Sequence, residues 1–374
     1  MAWGASKVEC QAIRWGEHLD VGITRDAFKV HDFMNLDSEV MSALKAAGYS
    51  EDGNGVLRSG NAGYWSNMDK QENEQFMKLL ETCSPLEAVQ QAIPQFETMM
   101  FSPQREAALE LLDIKKGEVC IDFGCMWGNL AVGMAKRGGV VLAVDQTLDS
   151  LKFLRARTHD ENLDNIFCIQ DDIRKVSLDG LADVATINGV LEWVPEFGDV
   201  ELKSFYGKRQ ARDYPATNPE QVQLDFLSRA SRSLRDGGRL LLAIENRFDY
   251  SQFLGRPDPH SNLLFTSFLP RRVSNAISMA VLARPYVNYL YSFRKLEHLL
   301  LAGGFSKVEL HMAFPDYRFP TLILPYDSGI SSYRRHWDSK RSMKRQIANW
   351  IEFGLMKVLR AKWLAPSILA VATK

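Results

Sequence analysis

The stretch EVCIDFGCMWGNLAVGMA, residues 118 to 135, constrains the fold more than any other part of the chain. Its apolar β-forming run ends at Gly124, and a helical pattern opens after Gly128. A strand, a glycine turn and a helix in that order predict a parallel sheet, because the helix carries the chain back over the sheet face. Glycine tolerates positive φ and lets backbone approach a ligand that a Cβ would repel. The helix start adds amide donors and a partial positive charge. Such a turn suits a nucleotide-type cofactor, and Asp145 at the tip of the next strand, VVLAVD, is placed to grip the two hydroxyls of a ribose.

The alternation continues downstream. Strands are expected in VCIDFG, VVLAVD, NIFCIQDD, DVATINGVL, RLLLAIEN, SKVELHMAF and PSILAVATK. Helices are expected in NLAVGMAKRG, DSLKFLRARTH, QVQLDFLSRASRSLRDGG and FRKLEHLLLAGGF. Val-, Ile- and Leu-rich strands separated by helices mean a sheet covered on both faces. Ahead of it, residues 1 to about 35 show β-like alternation. FMKLLETC, PLEAVQQAI and REAALELL carry three- and four-residue apolar spacing, which predicts helices.

Composition narrows the partners. The 374 residues are 46% hydrophobic and 24% charged, with a net charge of −1, so a nucleic-acid binder with a basic stripe is not expected. The five cysteines, Cys10, Cys83, Cys120, Cys125 and Cys168, form no CxxC pair. They read as reduced thiols in a cytoplasmic protein, with neither a disulfide framework nor a zinc site. The N-terminus lacks a signal-peptide core and no apolar run is long enough to span a bilayer. Residues 333–362 are basic with apolar side chains at helical spacing, which leaves peripheral membrane contact open. A homodimer is also left open.

The motifs together resemble the class I S-adenosylmethionine (SAM)-dependent methyltransferases, similar to those of small-molecule and polysaccharide biosynthesis, over roughly residues 65 to 374. VCIDFGCMWG resembles the family's first motif, LAVDQT its ribose-binding strand end and CIQDDI its adenine-side turn. TINGVLEWVP resembles its fourth-strand segment, and LRDGGRLLLAIENR and LLLAGGFSKVEL its two glycine turns. The resemblance implies a seven-stranded, mostly parallel Rossmann-like sheet with helices on both faces, an N-terminal extension and an insertion before the last strand. The expected units are an extension over 1–65, a helical cap over 66–112, and a core over 113–317 with insertions at 195–220 and 246–290. A second insertion with an amphipathic helix covers 318–365, and the final strand 366–374.

The resemblance implies cofactor contacts from Asp122, Gly124, Cys125, Met126, Trp127 and Gly128 in the loop. Asp145 and Gln146 would serve the ribose, and Asp171, Asp172 and Ile173 the adenine. Asn188 and Gly189 follow the fourth strand. Between the two aspartates, Asp172 is favoured for the adenine amino group. Met126 replaces the family's second glycine; the reading is a negative φ, a side chain turned from the ligand and a free N–H. On the acceptor side, His260 is the candidate base, with Glu245 and Arg247 beside it as further catalytic candidates. Glu192 and the loop Asp316–Tyr317–Arg318 are placed near the same rim. With no metal-ligand spacing in the chain, transfer is expected to be metal-independent, onto a small-molecule or glycan oxygen, leaving S-adenosylhomocysteine (SAH). Two alternatives stand: an NAD(P)-dependent oxidoreductase, weakened by the absence of GxGxxG, and a methyltransferase-like binding protein without catalysis.

Overall fold

The computed structural model describes residues 13–14, 30–53, 55–58, 70–176, 178–196, 217–333 and 343–374. Its centre is one sheet of eleven strands in the order β1-β10-β9-β11-β8-β7-β4-β5-β6-β3-β2. In chain order these are β1 (Ile13–Arg14), β2 (Ser50–Glu51), β3 (Leu57–Arg58), β4 (Val119–Phe123), β5 (Val140–Asp145) and β6 (Ile166–Gln170). They continue with β7 (Ala182–Asn188), β8 (Leu234–Glu245), β9 (Lys307–Phe314), β10 (Leu322–Pro325) and β11 (Ser367–Thr373). The ten α-helices among the described residues are α1 (Val30–Ala46), α2 (Lys70–Leu80), α3 (Pro85–Ala92), α4 (Glu97–Phe101), α5 (Asn129–Lys136) and α6 (Leu148–Asp160), then α7 (Pro219–Ser233), α8 (Arg271–Leu282), α9 (Phe293–Ala302) and α10 (Met343–Phe353).

The seven expected strands are all present, as β6-β5-β4-β7-β8-β11-β9. The first five run parallel, and β11 inserts antiparallel between β8 and β9. Every residue of β4 and β5 is buried, because alternate side chains enter two different cores. Ile121, Leu142 and Ile187 meet Phe226 of α7 and Leu296 of α9 on one face. Cys120, Val141 and Val184 meet Leu130 and Ala131 of α5 and Leu154 of α6 on the other. The alternation of faces along a strand makes this two-sided burial possible.

The sheet is wider than the seven strands expected. β3 and β2 extend one edge, and β10, inside the 318–365 insertion, pairs with β9 and β1 at the other. These additions are two to four residues long, too short to carry a readable period. Three local expectations also change. Residues 30–35, read as part of a β-like alternation, begin α1, whose Val40 and Leu44 are fully buried one turn apart; most of that alternating segment lies outside the described residues. REAALELL falls in a 3₁₀ run, Pro103–Leu111. The helix expected to reach the glycine pair ends at Ser233, and Leu234 to Gly238 already belong to β8.

Residues 70–111 are mostly helical, as α2, α3, α4 and 3₁₀ turns. Their core, with Phe76, Val89, Ile93 and Met100, packs on Trp127 and Phe153, so it sits over the glycine loop and α6. No helix among the described residues is long and apolar enough to cross a membrane.

Candidate active site

The carboxyl ends of β4 to β7 surround a cavity of about 270 Å³, the place where ligands bind in open α/β sheets. The cavity contains the loop residues Asp122, Gly124, Cys125, Met126 and Trp127. Asp145 and Gln146 line it after β5, Asp172 and Ile173 after β6, and Asn188 and Gly189 after β7. Gly128 is not on the wall. It has φ +78° as the N-cap of α5, and a Cβ there would lie 2.2 Å from Cδ1 of Leu154, so its role is to let α6 close on the loop.

The loop holds its shape by using its own amides. The N–H groups of Gly124 and Cys125 both donate to the Val144 carbonyl, at 2.8 and 3.0 Å, and that of Gly128 donates to Cys125 O. Met126 N donates to Asp145 Oδ2 at 2.8 Å, and Thr147 N to Asp145 Oδ1 at 2.8 Å. Met126 therefore departs from expectation twice. Its φ is +51°, in the left-handed region, and its N–H is committed to Asp145. A non-glycine residue in that region costs about 1 kcal/mol. The Met126 side chain offsets part of this by packing against the cap cluster around Trp127 and Phe76.

The two adjacent aspartates separate cleanly. Asp172 lines the cavity and takes a forked contact from Arg174, with Nε at 2.9 Å. Asp171 faces away and accepts from the Tyr49 hydroxyl and from Asp172 N. On the loop side, burial pushes the Asp122 carboxyl up to about 6, with the charge of Asp145 adding to the shift and Thr186 Oγ1, 2.6 Å from Oδ1, opposing it. Burial also raises Asp145, against the pull of its two backbone donors.

The acceptor side is built from distant pieces of chain. Glu192 comes from the turn after β7, Glu245 ends β8, and His260 comes from the 246–290 insertion. Nε2 of His260 lies 3.8 Å from Oε2 of Glu245, and one donor atom from each residue falls within 4.8 Å of the others. His260 is not the surface histidine that a Pro- and Asp-rich turn suggests. Asp258 accepts from the His260 and Ser261 amides, both at 2.9 Å, and caps the turn that buries the ring. The imidazole meets the edge of Trp193, itself on the cavity wall, at 4.7 Å between centroids. Burial would lower the His260 pKa, but the carboxylates of Glu245 and then Glu192 carry it up to about 9. Burial and the charge of Glu245 raise Glu192, whereas His260 holds Glu245 low against its own burial.

Arg247 does not join this group. Its guanidinium donates to the carbonyls of Phe268 and Leu269, at 3.1 and 2.6 Å, and lies against the Phe248 ring. It fastens the insertion to the end of β8, and the catalytic assignment made from its position in ENR is withdrawn. The expectation that no metal-ligand set exists also changes, since two carboxylates and an imidazole converge here from three elements. Linear spacing carries no trace of this, because the ligand positions lie 53 and 15 residues apart as the numbers 192, 245 and 260 imply.

Sequence reasoning missed Arg105, which reaches the cavity from the 3₁₀ run of the cap and is buried with its Nε unpaired. Its position just before the first core strand gave no motif to recognise. Tyr317 and Arg318, expected at the rim, do line the cavity. Tyr317 packs so close to the end of β7 that a Cβ on Gly189 would lie 2.3 Å from its hydroxyl.

Residues 120–202 match the family model of a methyltransferase domain. No curated protein sequence matches this chain. Among solved structures, Haemonchus contortus phosphoethanolamine N-methyltransferase 2, in complex with phosphomonomethylethanolamine and SAH, is similar at 15% identity and a TM-score of 0.43. The alignment covers 80% of this chain and 60% of that one, so the chain spans less than two thirds of that enzyme's length. A SAM-dependent methyltransferase from Archaeoglobus fulgidus is similar at 13% identity and a TM-score of 0.41, over 75% of this chain and 98% of that one.

Proposed function

We propose that this chain, whose residues 120–202 match the model of a methyltransferase domain, is a class I SAM-dependent methyltransferase that transfers the methyl group of SAM to an oxygen of a small-molecule or glycan acceptor. The observation that carries the cofactor side is the state of the loop. The amides of Gly124, Cys125, Met126 and Gly128 all have protein acceptors, which removes the donors that a dinucleotide's pyrophosphate needs. SAM has no phosphate. Its ammonium and sulfonium charges favour the carboxylates that the cavity does offer, Asp122 above all, and Arg105 is the group for its carboxylate. Asp145 faces the ribose, and Asp172 with Ile173 the adenine.

The transfer is an in-line displacement. The S–CH₃ bond breaks with its electron pair returning to sulfur, the acceptor oxygen forms the new O–C bond, and the hydroxyl proton must leave. His260, Glu192 and Glu245, grouped beside Trp193 of the cavity wall, are the candidate groups for handling that proton, whereas Arg247 is committed to the Phe268 and Leu269 carbonyls. Peripheral membrane contact remains a proposal resting on α10 and the turn after it, where Trp350, Val358 and Leu359 are 57%, 71% and 69% exposed.

Calorimetry with SAM, SAH and NADH tests this reading. SAM and SAH should bind in the micromolar range and NADH should not. NADH binding without SAH binding would sink it and revive the oxidoreductase alternative.

A further inference from the structure

We propose that Glu192, Glu245 and His260 form a binding site for a divalent transition-metal ion beside Trp193 of the cavity wall. Three side chains from separate elements present one donor atom each within 4.8 Å of one another. A cation of the Mn²⁺, Fe²⁺ or Zn²⁺ type takes oxygen and nitrogen donors at about 2.0–2.2 Å, which sets donor pairs roughly 3–4 Å apart. The His260–Glu245 separation of 3.8 Å is already in that range. The donor set also selects the ion: imidazole with two carboxylates suits borderline first-row dications better than Ca²⁺ or Mg²⁺, which prefer oxygen alone, or Cu⁺, which prefers sulfur.

The second observation is independent of the spacing. Both oxygens of Glu192, Oε2 of Glu245 and both ring nitrogens of His260 are buried without a hydrogen-bond partner. Buried polar atoms are normally paired, and each orphan costs about 1–3 kcal/mol. Five in one place describe a site shaped for an occupant. A dication neutralises the two carboxylates and uses the imidazole as well, which a lone water or an organic ammonium does less completely. Arg318 also lies within electrostatic reach of both carboxylates, but it is shared with Asp316, whose Oδ2 is 3.6 Å from its Nη2.

Three protein ligands leave coordination positions open. Resting on the methyl-transfer reading for its purpose, the ion would bind the acceptor hydroxyl and lower its pKa, so that the proton is released to water before the oxygen attacks the methyl carbon. His260 would then serve as ligand and would not act as the base.

The test uses the full chain, dialysed against EDTA and then freed of it. Calorimetric titration with Mn²⁺ and with Zn²⁺ should show one equivalent bound with a Kd tighter than about 100 μM, and Co²⁺ loading should give visible d–d absorption. His260→Ala and Glu192→Gln should each weaken the ion at least about tenfold while SAH still binds, which separates a lost ligand from a lost fold. SAH binding with neither cation bound, or with cation affinity unchanged in both variants, overturns the metal site and leaves the methyl-transfer reading standing. Failure to bind SAH in the unaltered protein counts instead against that reading.

Discussion

The two ends of the cavity are finished to different degrees. On the β4–β5 side, the carboxylates of Asp122 and Asp145 are met by Thr186 and by backbone amides, and the glycine loop closes on itself. On the β7–β8 side, Glu192 and His260 are equally buried and their side-chain polar atoms have no hydrogen-bond partners. The cofactor end is held rigid by bonds that exist without ligand, which is how binding costs are kept low. The group of Glu192, Glu245 and His260 has no such partners, and that unmet polar demand is what the proposed ion would satisfy.

Substitutions should break this contrast unequally. The largest effect is expected for Gly128→Ala, where both the positive φ and the approach of Leu154 oppose a side chain; a loss of about 3–4 kcal/mol, read by chemical denaturation, follows from overpacking plus strain. Asp145→Ala orphans two buried amides and should cost about 2–4 kcal/mol with severe loss of SAH affinity by calorimetry. A smaller effect comes from pH. Asp122 ionises in the folded protein only near 6, against an ordinary 3.8. Between those values the unfolded chain gives up the proton first, so the unliganded protein loses stability as pH rises from about 4 to 6 and then levels off. The cationic cofactor prefers the ionised form, so SAM affinity should climb up to about tenfold from pH 5 to 7. Asp122→Asn should flatten that profile.

The smallest stability effect is expected at the other end. Glu192→Gln should change unfolding free energy by under about 1 kcal/mol, because its carboxyl oxygens have no hydrogen bond to lose. Methyl transfer should nevertheless fall at least about a hundredfold. A large loss of stability there, comparable to Asp145→Ala, would erase the distinction between the two halves.

The finished half is also the half that could be read from the chain. Asp122, Gly124, Asp145 and Asp172 sit in short motifs bound to strand ends, so order along the sequence specifies position in space. Which of Asp171 and Asp172 faces the cavity needed the Tyr49 contact, supplied from a part of the chain with no motif. The left-handed φ of Met126 was misjudged because loop closure on Asp145, a long-range bond, sets it. The convergence of Glu192, Glu245 and His260 depends on how an insertion folds back over β7 and β8, and no local period encodes that. Arg247 shows the converse error: a charged residue after a strand end can hold the scaffold and leave the chemistry to its neighbours.

The position of β11 bears on how this molecule is assembled. It is the latest strand in chain order, yet it lies inside the sheet, with β8 on one side and β9 on the other. Until it docks, β8 and β9 each present an unpaired edge, and β9 with β10 cannot join the parallel strands. Seating β11 beside β8 closes a loop of more than a hundred residues, a non-local pairing whose entropic cost local strand–helix contacts do not carry.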